Sequence, residues 1–151
     1  MNTRYYDSES TFYSTGNYMF VQIVTGDSRT DNGFYFYADA YVNSTSLTAY
    51  TSSNYFTSPN YPYNYYSNVY FTWFITSYSS YYYVRAQIIT YDLESCCDCL
   101  RFFDGSSDSS TELSCSGVNS YIYSSSRYMY VTFTSDSSVT SKGFQVRYYC
   151  T

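Results

Sequence analysis

The stretch Tyr128-Met129-Tyr130-Val131-Thr132-Phe133-Thr134 puts Met129, Val131 and Phe133 on one side of an extended chain and Tyr128, Tyr130 and Thr132 on the other. A period of two is the signature of a half-buried β-strand. The same alternation recurs where Met19, Val21 and Ile23 interleave with Tyr18, Phe20 and Gln22, and where Phe144, Val146 and Tyr148 interleave with Gln145, Arg147 and Tyr149. Turn clusters separate these runs: Gly26-Asp27-Ser28, Asp31-Asn32-Gly33 and Asp104-Gly105-Ser106-Ser107. No stretch has a helical period. The expectation is an all-β chain.

Composition agrees and narrows the function. The chain has 151 residues with 25 Tyr and 11 Phe, which favour pleated, half-buried surfaces, while the strong helix formers are scarce. Taken alone, so much Tyr and Ser would also suit a low-complexity, disordered polymer, and the alternation decides against that. There is no His, so imidazole-based catalytic arrangements and imidazole-ligated metals are excluded. Seven Lys plus Arg among twelve Asp plus Glu, a net charge of -5, cannot supply the basic footprint that nucleic acid requires. No apolar run approaches the roughly 18 residues of a membrane span, and the N-terminus lacks the basic-then-apolar pattern of an export signal. The chain therefore reads as a mature piece of something longer.

One domain of about 100 to 150 residues fits this length with a fragment to spare. A repeat accounts for the fragment. Tyr13-Ser14, Tyr18-Met19, Val21, Ser28, Thr30 and Gly33-Phe34 return as Tyr123-Ser124, Tyr128-Met129, Val131, Ser138, Thr140 and Gly143-Phe144, at a constant offset of 110 residues. Residues 1–42 are thus expected to be the C-terminal part of a first domain, residues 43–45 a linker, and residues 46–151 a complete second copy. Strands at 18–24 and 33–41 of the partial copy would carry unpaired edges unless something covers them.

The second copy holds a series of short motifs: Ser58-Pro59-Asn60-Tyr61-Pro62, Trp73-Phe74-Ile75, Asp92-Leu93-Glu94, Asp98-Cys99-Leu100, Phe103-Asp104-Gly105, Ser114-Cys115-Ser116-Gly117, Ser135-Asp136 and Gly143-Phe144. In this order and spacing they resemble the CUB domain family over residues 46–148. The resemblance implies a jelly-roll-like β-sandwich of two antiparallel sheets, extracellular and secreted, used for recognition and assembly rather than catalysis. No recognised motif places two carboxylates across a substrate, so an enzyme is not expected.

A subset of the family binds calcium, and its ligand positions fall here on Tyr65, Glu94, Asp98 and Asp136, with the Ser138 carbonyl as a further ligand. Three carboxylates with carbonyl and water oxygens suit a hard cation, and a Tyr hydroxyl can hold one carboxylate in place. The cysteines depart from the family pattern. Phe71 stands where the usual first disulfide ends and no Cys precedes Cys96, so that bridge is missing. The resemblance pairs Cys96 or Cys97 with Cys115, closing a loop of roughly twenty residues worth about 3 kcal/mol. Cys99 and Cys150 remain, together with one of the adjacent pair. Five cysteines leave at least one as a thiol or bonded to another chain, and the sequence leaves both open.

Asn43-Ser44-Thr45 is an N-glycosylation sequon placed in the expected linker. Two roles follow. One is a self-assembling filament or matrix protein, in which a neighbouring chain supplies the strands missing beside residues 1–42. The other is a module that binds a separate extracellular protein or glycan through its calcium-site loops.

Overall fold

The computed structural model describes residues 20–22, 43–115 and 121–151, with Cys115 described by its backbone alone. The expected strand at 33–41 lies outside the described residues. Of the one at 18–24, only residues 20–22 are described, and they are exposed and belong to no strand. Contacts divide the chain into residues 1–37 and 38–151.

Nine strands are described: β1 (Asn43–Ala49), β2 (Asn54–Thr57), β3 (Tyr70–Ser77), β4 (Val84–Asp92), β5 (Cys99–Asp104), β6 (Thr111–Cys115), β7 (Tyr121–Tyr123), β8 (Tyr128–Thr134) and β9 (Gly143–Cys150). They form a five-stranded sheet, β1-β3-β8-β5-β6, and a four-stranded sheet, β2-β9-β4-β7. Among the described residues no helix is long and apolar enough to cross a membrane. The expected β-sandwich is present. One pair departs from antiparallel order, because β1 runs parallel to β3, with Asn43 opposite Phe71 and Ala49 opposite Ser77.

The residues expected to form the linker take part in that pairing. Residues 43–45 are the first three of β1, hydrogen-bonded beside Phe71, Thr72 and Trp73. A run of Asn, Ser and Thr is polar enough to read as a connection. An edge strand with one face to water tolerates the same residues, because the ladder satisfies its backbone.

The alternation in the sequence becomes the core. Met129, Val131 and Phe133 of β8 and Trp73 and Ile75 of β3 face Phe144 and Val146 of β9 and Val84, Ala86 and Ile88 of β4, all buried. Trp73 lies 4.8 Å from Phe56 of β2 and 5.7 Å from Phe144, centroid to centroid, so one indole ties the two sheets together. Phe144 meets Phe133 edge-on at 5.2 Å, and Phe133 meets Tyr65 edge-on at 5.2 Å. This aromatic chain runs from the middle of the sandwich to the loop after β2.

The start of β9 fixes that loop. Gly143 has φ 88°, and a Cβ there would fall on the Ser58 side chain. Ser58 is buried because it docks on the next residue: its N–H donates to the Phe144 carbonyl at 3.1 Å and its Oγ accepts from the Phe144 N–H at 3.1 Å. Only glycine combines that conformation with that approach.

Truncating Trp73 removes its ring contacts to Phe56 and Phe144 of the other sheet. Trp73→Ala is expected to cost about 3–5 kcal/mol, read as a lower midpoint in urea denaturation. Phe74→Ala, on the opposite face of β3, should cost clearly less, and equal losses would contradict this packing.

Candidate metal centre

Three loops deliver acids to one end of the sandwich. The loop between β4 and β5 turns back on itself, with the Asp98 N–H donating to the Glu94 carbonyl at 3.4 Å, so both acids stay at the same end. The loop between β8 and β9 brings Asp136. The loop between β2 and β3 brings Tyr65, whose N–H donates to the Ser141 carbonyl at 3.1 Å. Carboxylate oxygens of Glu94, Asp98 and Asp136 all lie within 4.8 Å of one another.

Asp98 is the buried member, 4% exposed, and Tyr65 beside it is 2% exposed. A buried carboxylate needs donors. The Tyr65 hydroxyl donates to Oδ2, and the Asp136 N–H donates to Oδ1 at 3.0 Å. The Tyr65 oxygen in turn accepts from the Glu94 N–H at 3.2 Å. One phenol therefore fixes a side chain and a backbone of two different acids. Burial first, and the Asp98 hydrogen bond second, push the Tyr65 hydroxyl up to about 12, so it remains a donor at any physiological pH.

The Asp136 turn is pinned separately. Asn68, in a left-handed conformation with φ 58°, donates its N–H to the Asp136 carbonyl at 2.7 Å. Ser135 Oγ accepts from the Val69 N–H at 2.9 Å and donates to the Tyr66 carbonyl at 2.8 Å. Ser138 presents its hydroxyl to the cluster, 2.8 Å from Asp136 Oδ1 and 3.5 Å from Glu94 Oε2, while its carbonyl accepts from Ser67 Oγ at 3.4 Å. From the sequence the Ser138 carbonyl was singled out, Ser135 was noted only as part of the Ser135-Asp136 motif, and Asn68 was missed. Their roles depend on backbone partners across the loop, which no residue pattern displays.

Packing three carboxylates this closely is unfavourable without a cation. The donors are all oxygen, which fits a hard divalent ion better than a soft one. Cys96 and Cys97 also approach Glu94, but their sulfurs are bonded to each other and offer no thiolate. The bridge described is between Cys96 and Cys97, where the resemblance pairs one of them with Cys115. Adjacent residues need no tertiary movement to meet; the backbone of Cys115 lies on β6, opposite Arg101 of β5. Cys150 is a buried thiol 3.3 Å from the Ala49 carbonyl, and Cys99 opens β5 half-buried.

Comparison with known proteins bears on both fold and family. The chain resembles part of the full extracellular region of zebrafish Gpr126/Adgrg6, with a TM-score of 0.61 and 25% identity over 73% of this chain and 15% of that one. It resembles the CUB1-EGF-CUB2 domains of rat MASP-1 with a TM-score of 0.61 and 23% identity, over 72% of this chain and 42% of that one. The MASP-1 CUB2 domain bound to Ca2+ gives 0.53 and 20%, over 70% of this chain and 98% of that one. The chain thus spans well under half of the first two, and at the lower identities the likeness is one of fold. The CUB domain family itself matches residues 45–148, which takes in β2 to β8, most of β1 and β9, and every acid of the cluster. The chain belongs to the CUB domain family.

Proposed function

We propose that this is a secreted, calcium-stabilised, non-catalytic module of extracellular assembly or adhesion that takes its partner through the loops around the carboxylate cluster. The observation that carries the reading is the convergence of Glu94, Asp98 and Asp136 on a single point, braced by a buried Tyr65. Glu94, Asp98 and Asp136, with the Ser138 carbonyl, would hold calcium. The bound ion would supply the positive charge that cancels their mutual repulsion. CUB domains occur in extracellular proteins and mediate protein–protein interactions, and a related domain is known bound to Ca2+.

The partner's side of the contact follows from charge. The half-buried Glu94 and Asp136 favour a Lys or Arg of the partner, and the exposed Tyr63 and Tyr66 of the loop between β2 and β3 add flat apolar area. A separate extracellular protein fits this best. A glycan contacted through the same loops is the other form of this reading.

A second reading, self-assembly into a filament or matrix, is favoured by the surface. Ten tyrosines among the described residues are about half exposed or more. In that reading residues 1–42 are the tail of a tandem copy and take complementing strands from a neighbouring chain. An N-glycan on Asn43 would suit either reading.

Three measurements separate these readings. Calcium at about 100 times its dissociation constant should stabilise the domain by about 2.7 kcal/mol, seen as a higher melting temperature that a chelator reverses. Glu94→Gln and Asp136→Asn should each abolish most of that shift, and an unchanged melting temperature on chelation would refute the calcium reading. Tyr65→Phe keeps the ring against Phe133 but removes the donor to Asp98. It should weaken calcium binding by about tenfold or more in a titration, while an unaltered affinity would remove Tyr65 from the site. Electron microscopy with and without chelator addresses assembly, where ordered filaments support self-association and monodisperse particles support a separate partner.

A further inference from the structure

Register in a parallel strand pair carries past its last hydrogen bond, and here it sets two tyrosines side by side. Ala49 at the end of β1 lies opposite Ser77 at the end of β3, so Tyr50 and Tyr78 leave the sheet together. Their backbones are held: the Tyr78 N–H donates to the Ala49 carbonyl at 3.0 Å, and the Cys150 N–H donates to the Tyr50 carbonyl at 2.8 Å. The rings stack with centroids 5.6 Å apart and planes inclined by 23°. Both remain accessible, 51% and 50% exposed.

We propose that Tyr50 and Tyr78 are a site of oxidative coupling, at which hydrogen peroxide and a haem peroxidase join the two rings as a dityrosine that staples β1 to β3. Each phenol loses one electron and its hydroxyl proton. The two radicals form one carbon–carbon bond between the positions ortho to the hydroxyls. The hydrogens on those carbons then return to the oxygens and restore both phenols. In total the protein loses two hydrogen atoms, and one peroxide, taking two electrons and two protons, becomes two waters.

Three features favour this pair. The stack is near-parallel, with 23° between the planes, and its two rings leave the ends of two different strands. The Tyr82 ring also lies 5.6 Å from Tyr78 but is inclined by 55° and more buried. Tyr121 and Tyr123 stack at 6.4 Å on β7 alone, where a bond would join no two strands. The staple also falls where it has structural value. Among the described residues β1 is an edge strand held laterally by β3, neither strand contains Cys, and the chain has a single lysine, Lys142, for amine-based crosslinking. A covalent link across the loop from Tyr50 to Tyr78 restricts the unfolded chain in the way a disulfide does.

The test treats the full chain with hydrogen peroxide and horseradish peroxidase, isolates the monomer and maps its peptides by mass spectrometry. A mixture of isotopically light and heavy protein separates bonds within a chain from bonds between chains. The expected product is a peptide containing Tyr50 joined to one containing Tyr78 from the same chain, lighter by two hydrogens, accompanied by a raised melting temperature. Tyr50→Phe and Tyr78→Phe keep the rings and should each abolish that product while coupling elsewhere continues. Unfolding in urea before oxidation should scatter coupling over many tyrosines. The proposal is overturned if folded monomer couples through other tyrosines and leaves this pair intact, if Tyr50 joins Tyr78 only between chains, or if the pair couples equally well in urea.

Discussion

Asp98 is a carboxylate buried at one end of a β-sandwich, and its burial is tolerable only because a phenol and a backbone N–H meet it there. The phenol belongs to Tyr65, itself buried against Phe133. Through Phe133 and Phe144 that ring is continuous with the aromatic core around Trp73. The position of the acid cluster is thus set by core packing as much as by the loops that carry it. A ring that shifts by an ångström in the core displaces the hydroxyl on which Asp98 and the Glu94 backbone depend, and a well-packed interior resists such shifts.

The same logic explains the loops. Pro59 and Asn60 lead out of β2, Ser58 docks on β9 beside a glycine, and Asn68 returns the chain onto the Asp136 carbonyl. Ser58 thereby ties the loop to strand β9, and Asn68 ties it to the loop between β8 and β9. The result is an end of the molecule in which three carboxylates are preorganised before any cation arrives, so binding need not pay for ordering long segments. Charge rather than shape is the unmet requirement of that end, one that a partner's basic group or a metal ion would meet.

Surplus aromatics take a second role. Rings on inward-facing strand positions fill the sandwich, while among the described residues eight tyrosines keep half or more of their area in water. Several pair with one another or with Arg: Arg85 lies 4.7 Å over Tyr123, and Tyr50 stacks on Tyr78. Such pairs satisfy part of the exposed aromatic area locally. They also concentrate reactive phenols at strand ends.

Much of this was legible from residue order. Alternation at Met129, Val131 and Phe133 specifies a strand with one buried face because the pleat has a period of two, and that holds for any partner strand. Short motifs named the family and pointed to Tyr65, Glu94, Asp98, Asp136 and Ser138. Three things were not legible. The parallel pairing of β1 depends on which strand lies beside it, and polar Asn43, Ser44 and Thr45 look alike in a linker and on an edge. The bridge between Cys96 and Cys97 depends on loop geometry. The contacts of Ser135 and Asn68 join residues more than 60 positions apart to backbone groups, and a backbone group has no letter in the sequence. Local periodicity is a property of one segment, so a chain carries it before folding; proximity between segments exists only once hydrophobic packing has brought them together.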